Sequence, residues 1–251
     1  MRASGPGRWR SGSILLLLCG VGLLLVAALT ALGTWQVQRR AWKHDLIARV
    51  DARIHSDPVK APGPALWDRL TADADAYRRV RATGLLRHNQ ETLVQAVTEL
   101  GAGFWVMTPL ERADGTTILV NRGFVPPDRR DPATRAEARD EGPVTITGLL
   151  RLSEPGGGFL RTNDAGAGRW YSRDVAAIAQ ARGLSRVAPY FIDAEAQPDA
   201  ASWPVGGLTI VAFPDHHLVY AITWYVLALM VAGAVAYTVI DARRTQRRPK
   251  P

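Results

Sequence analysis

Two uncharged apolar runs limit what this chain can become. The first is Ile14–Leu32, 19 residues, and the second is Leu218–Ile240, 23 residues. As helices rising about 1.5 Å per residue they measure roughly 29 Å and 35 Å, enough to cross a hydrocarbon layer of about 30 Å. Both are expected to be transmembrane helices. The first has a basic leader (Arg2, Arg8, Arg10) and small residues at Ala27 and Ala31, as a secretory signal would. Its apolar run nevertheless exceeds the roughly 7–15 residues of a signal core. It also ends in Leu32-Gly33-Thr34-Trp35, with an interfacial tryptophan of the kind that anchors a retained helix. The expectation is an uncleaved anchor.

Charge sets the orientation. The formal net charge of the 251 residues is +8. The first ten residues carry +3 and the tail from Asp241 carries +4, so only +1 remains for everything between. The basicity therefore sits on two short flanks, which argues against nucleic acid as a partner and for a membrane surface. Under the positive-inside rule both flanks face the cytoplasm, although Arg39, Arg40 and Lys43 weaken the bias beyond the first helix. The expected layout is a cytoplasmic N-tail (1–13), helix one (14–32), a periplasmic domain (33–217), helix two (218–240) and a cytoplasmic C-tail (241–251). The single cysteine, Cys19, lies inside the first run, which rules out an intrachain disulfide framework. Without a Cys-x-x-Cys, thiolate copper delivery, disulfide exchange and covalent c-type haem attachment are not expected.

The middle of the chain reads as strands. Tyr77–Leu86, Thr92–Thr98, Phe104–Leu110, Thr117–Val125 and Val144–Leu152 are rich in β-branched and aromatic residues, and Gly, Pro or Asp punctuate the gaps. Asp114-Gly115 signals a hairpin. Pro126–Gly142 reads as a charged, solvated loop. Asp174–Arg182 is alanine-rich and helical, Tyr190–Asp193 is a short strand, Ala194–Gly207 an irregular linker, and Leu208–Phe213 extended. Trp35, Trp42, Leu46, Val50 and Ile54 recur on one helical face, so the first helix is expected to continue past Leu32 and pack on the outer domain. Ala27 with Ala31, and Ala228 with Ala232 and Ala236, offer small faces for close helix approach, or reflect only an alanine-rich chain. The fold class is therefore α+β: two transmembrane helices flank one extracytoplasmic, mostly antiparallel β domain with helices.

The second run opens on Asp215-His216-His217. Imidazole at the lip of a membrane segment is costly to desolvate, and neutral imidazole is a common metal ligand. His217, Tyr220, Ala221 and Trp224 share one helical face, whereas His216 points about 100° away. That face could hold a flat ligand, with Tyr220 or Asp215 orienting the ring of His217. It could equally be a polar boundary with an aromatic belt.

Several segments together resemble the Surfeit locus protein one family of cytochrome c oxidase assembly factors. They are Leu32-Gly33-Thr34-Trp35-Gln36 with Arg39 and Trp42-Lys43; Tyr77-Arg78-Arg79-Val80 leading to Gly84; and Phe104 to Pro109-Leu110. Ile118 to Pro126, Pro189 to Asp193 and His217 to Tyr225 complete the set, which spans about four-fifths of the chain. The resemblance implies a two-helix protein of the bacterial plasma membrane or mitochondrial inner membrane. It implies haem a as cofactor, with His217 as the critical ligand, and the catalytic oxidase subunit and the haem a synthesis machinery as partners. The family usually places Asn two positions before this histidine, where this chain has Asp215.

Further site candidates follow from that resemblance. Arg122, after an apolar strand, could grip a haem propionate or a partner's acidic group, or Asn121-Arg122-Gly123 could simply be a turn. Trp35 with Arg39 could form a lid near the first helix, or pack in it. The cofactor-binding set is thus His217, Tyr220, Trp224, Arg122, Trp35 and Arg39, with His217 as the metal ligand. No P-loop, His-Glu-x-x-His or nucleophile–base pair occurs, and His44, His55 and His88 read as isolated surface residues, so no enzymatic activity is expected. A haem-independent scaffold for the oxidase subunit is the alternative.

Overall fold

The computed structural model describes residues 7–138, 142–158, 160–196, 203–209 and 215–247. In chain order the helices and strands are α1 (Gly7–Ile54), β1 (Val59–Lys60), α2 (Pro64–Trp67), α3 (Ala72–Asp75), β2 (Arg79–Leu86), β3 (Thr92–Thr98), β4 (Gly101–Glu111), β5 (Thr117–Val125), β6 (Pro143–Leu152), α4 (Val175–Arg182), β7 (Val187–Ala194) and α5 (His217–Arg247). They fall into two compact units, residues 1–48 with 212–251 and residues 49–211.

The first unit is a pair of long helices, both apolar and long enough to cross a membrane. Gly22 lies against Val235 and Gly33 against Tyr225, so α1 and α5 run antiparallel. Along α1 the residues withdrawn from the surface are Leu15, Cys19, Gly22, Val26, Leu29, Gly33, Gln36, Arg40 and Lys43. On α5 they include His217, Ala221, Trp224, Ala228, Val231 and Val235. Steps of four and three alternate on both helices, the 3.5-residue seam of a left-handed coiled coil. The remaining leucines, among them Leu16, Leu17, Leu24 and Leu229, point outward. Of the small faces expected from alanine spacing only Ala228 is used. Ala27, Ala31, Ala232 and Ala236 are exposed, and Gly22, Gly33, Ala221 and Ala228 occupy the seam. A 3.5-residue repeat drifts away from any strict i, i+4 ladder, which is why the other alanines fall off it.

The second unit is a small barrel. β2 pairs antiparallel with β6 from Arg79↔Leu149 to Leu85↔Pro143, and β6 pairs antiparallel with β7. β7 lies parallel to β5, β5 forms a hairpin with β4, and β4 returns to β2 at Leu85↔Glu111 and Leu86↔Leu110. The circuit β2-β6-β7-β5-β4 thereby closes, with the connectivity of a five-stranded OB-type barrel. β3 extends it beyond β4, and β1 adds a short parallel pair on β2. The mostly antiparallel expectation holds, with two parallel pairs. Closure brings Gly84 so near the Glu111 carbonyl that a Cβ there would collide with it.

Alternation along the strands builds two cores. Val80, Ile118, Val120, Leu150, Tyr190 and Ile192 fill the barrel. Leu119 and Phe191, pointing the other way, join Val94, Met107, Trp170 and Ile178 of α4. With both faces covered, β5 is buried at eight of its nine positions, and its apolar residues follow one another from Ile118 to Val120 without alternating. Asp174 caps α4 by accepting from the Ala177 amide, and Gly183 ends it in the left-handed conformation.

The strands from β2 to β7 lie where the sequence puts them, with β3 and β5 matching to the residue, and the two-residue β1 is an addition. The segment Pro126–Gly142 departs from its reading as a solvated loop. Arg135 within it is buried, and its guanidinium takes both carboxylate oxygens of Glu91 and the carbonyls of Arg129 and Arg130. A charge so fully paired can leave water. The linker likewise carries structure, because Val205 exchanges two backbone hydrogen bonds with Phe124. Most of Leu208–Phe213 lies outside the described residues. The aromatic stripe on α1 divides: Val50 is buried and Ile54 half-buried, while Trp35 and Trp42 are exposed.

Candidate functional site

α5 begins at His217 because Asp215 caps it. The Asp215 Oδ1 accepts from the His217 amide at 3.1 Å, satisfying one of the orphan donors of a helix start. The other oxygen, Oδ2, faces α1, where His44 Nε2 lies 2.8 Å away and Arg40 Nε 3.4 Å away. The hydrogen bond with His44 is the main reason the Asp215 carboxyl sits below its ordinary pKa, helped by the amide and by Arg40. The carboxylate expected to alter the site is thus a staple between the two helices of this unit. His44, expected to be isolated, is its partner.

His217 falls on the helix seam, half-buried, and its Nδ1 lies 2.8 Å from Gln36 Oε1. An amide oxygen only accepts, so Nδ1 carries the proton. The remaining ring nitrogen, Nε2, has no protein partner among the described residues. The residue orienting the ring is therefore Gln36, and not Tyr220 or Asp215. Ala221 is buried one turn on, and Trp224 is half-buried one turn further. Tyr220 is 55% exposed at the seam's margin, and His216 is exposed on the far side. Below this level Thr34 Oγ1 meets Tyr225 Oη at 3.2 Å, and Gly33 lets the Tyr225 ring lie against the α1 backbone.

The other candidates separate from this constellation. Trp35 is 54% exposed, and Arg39 stacks over the Trp42 ring at 4.1 Å, so the tryptophan that Arg39 contacts is Trp42 and not Trp35. Arg122 belongs to the second unit, where its Nη1 lies 3.2 Å from His88 Nδ1. His88 is thus half-buried and partnered, not an isolated surface residue. The neighbouring Asn121 is buried, donates to Asp193 Oδ1 at 2.8 Å and accepts the Gly123 amide, but the segment lies within β5, so the expected turn is instead an irregularity inside a strand that pairs with β4 on either side of it. Asp193, 2% exposed, also receives Arg151 and Arg173, whose charges compensate it.

Sequence reasoning missed Gln36, Arg40 and His44 as parts of the site. The phase of the 3.5-residue seam was the signal that could have found Gln36, since it continues Gly22, Leu29 and Gly33 on the same stripe.

Among the described residues no three His, Cys, Asp or Glu side chains gather as a metal-binding group.

Known proteins place this arrangement in context. Surfeit locus protein 1 of Homo sapiens is 38% identical over 225 residues, covering 82% of this chain and 73% of that protein. The mouse protein of the same name is 37% identical over 219 residues, covering 81% and 69%. A SURF1-like protein of Monosiga brevicollis is 37% identical over 218 residues, covering 81% and 80%. The SURF1 family model matches residues 23–229, from within α1 through the His217 turn and into α5, and the chain belongs to the SURF1 family.

Proposed function

We propose that this chain is a membrane-anchored assembly factor for cytochrome c oxidase that binds haem a through Nε2 of His217 and assists its insertion into the catalytic subunit. The observation that carries the reading is the 2.8 Å contact of His217 Nδ1 with Gln36 Oε1, because it orients the ring and leaves Nε2 as the nitrogen available to a ligand. A haem needs only an axial protein ligand, which a single half-buried imidazole supplies. Haem brings a redox-active iron, and the protein's part is to bind and orient it. Trp224 and Ala221 give the face beside His217 its apolar character, and Tyr220 sits exposed at its margin. Trp35 and Arg39 are proposed to border the ligand on α1, and Arg122 to meet an acidic group of the haem or of a partner. The two apolar helices cross the bacterial plasma membrane, the basic tails lie in the cytoplasm and residues 33–217 lie in the periplasm. The partners are the catalytic oxidase subunit, the haem a synthesis machinery and membrane lipid, and the role is binding and transfer without enzymatic turnover.

The experiment is purification from cells that make haem a, with optical spectra of the wild type and of His217→Ala. The reading expects stoichiometric haem in the wild type and its loss in the variant. Equal pigment in both removes His217 as the ligand. Co-purification of the oxidase subunit with no pigment in either assigns the chain to the haem-independent scaffold.

A further inference from the structure

A cleft of about 380 Å³ in the second unit lies where β1, the start of β2 and the β4–β5 turn meet. Lys60, Arg81, Thr83, Arg112 and Asp114 line it. Lys60 and Arg81 are partners in the parallel register of β1 with β2, so two cations stand side by side. Both are exposed, and neither has a carboxylate partner among the described residues.

Arg112 is different in kind. Its side chain is 10% exposed, and its Nη1 is buried with no hydrogen-bond partner among the described residues. Its nearest acid is Asp114, at 3.7 Å from Nη2. That carboxylate is already engaged, since Oδ1 accepts both the amide and the hydroxyl of Thr116, and these bonds chiefly hold its pKa below the ordinary range. The lining therefore carries three positive charges against one negative charge that is turned to another task. A guanidinium short of acceptors, two free cations beside it and the Thr83 hydroxyl form a site for an oxyanion. A surplus of two charges matches a dianion better than a single carboxylate.

We infer that this cleft binds a phosphate group, with Arg112, Arg81 and Lys60 as its cationic ligands. The inference stands apart from the haem reading, because it uses none of the residues around His217.

The test uses the full chain in a neutral maltoside detergent and a chloride buffer. Inorganic phosphate is titrated by calorimetry and phosphorus NMR, and nanodiscs of phosphatidic acid in phosphatidylcholine are compared with phosphatidylcholine alone. The variants are Arg112→Gln and, because a buried arginine can be needed for folding, Lys60→Gln with Arg81→Gln on the exposed strand face. The basic tails are present in every variant and contribute equally. Binding of inorganic phosphate that weakens by roughly tenfold or more in the double variant supports the site with a soluble phosphate as ligand. Selective binding of phosphatidic acid, lost in the double variant while free phosphate is silent, supports the same site with a lipid headgroup as ligand. The absence of both responses, or equal binding by the wild type and the double variant, overturns it.

Discussion

The chemistry of His217 turns on a hydrogen bond to a neutral amide. Gln36 cannot take the proton from the ring, so it fixes the tautomer without changing the charge of the site. Gln36→Leu keeps the packing volume and removes the acceptor. Loss of such an orienting partner lowers metal-site affinity by about 10–100-fold, which a haem titration followed optically would register. An unchanged affinity would show that the ring is oriented by something else. Asp215 gives a second test at this scale. Its native pKa is lowered, so its contribution to stability is present above the ordinary carboxylate value of about 4 and is lost as pH falls through the lowered native value. The thermal midpoint of the wild type should therefore drop in that acid window more steeply than that of Asp215→Asn. At neutral pH the variant keeps the helix cap and loses only the carboxylate's contacts with the part-exposed Arg40 and His44, so a small change is expected there. The turn from Asp215 to Trp224 was legible in sequence because charge, imidazole and aromatics coincide at a lipid boundary. Gln36 was not, because an uncharged polar residue just past an apolar run marks no side of a helix by itself.

Strands rich in β-branched residues and helices with long apolar or alanine-rich runs could be read before folding, whereas β1, α2 and α3, at two to four residues each, are too short to show a period. What pairs with what could not be read. Nothing in β2 or β4 announces that Leu85 meets Glu111, since closure depends on twist accumulated over the whole sheet. Charged segments mislead for a related reason. The run containing Arg135 reads as solvated, yet side-chain exposures of 3% for Arg135 and 9% for Glu91 describe a buried pair. Arg135→Ala leaves Glu91 buried without its cation, and a loss of about 3–5 kcal/mol is expected in denaturant melts of the full chain. A loss below about 1 kcal/mol would mean that water or another cation replaces it. Between the long helices, Gly33→Leu drives a side chain into the Tyr225 ring. Overpacking of this kind costs about 1–3 kcal/mol, and it should lower the thermal midpoint and haem retention together. Full haem retention in that variant would separate the ligand site from the helix seam.

For the molecule as a whole, the seam that carries Gly22, Gly33 and Gln36 also carries Arg40 and Lys43. One stripe thus serves both the apolar length of α1 and the polar length beyond it, and His217 meets whatever residue the stripe presents at its level. The site consequently depends on counting. A single residue deleted between Gly22 and Gly33 turns everything beyond it by about 100° and takes Gln36 away from His217, although neither residue is touched. Seven residues added there restore the phase but lengthen α1 by about 10 Å, so that segment can tolerate substitution far more readily than any change in length.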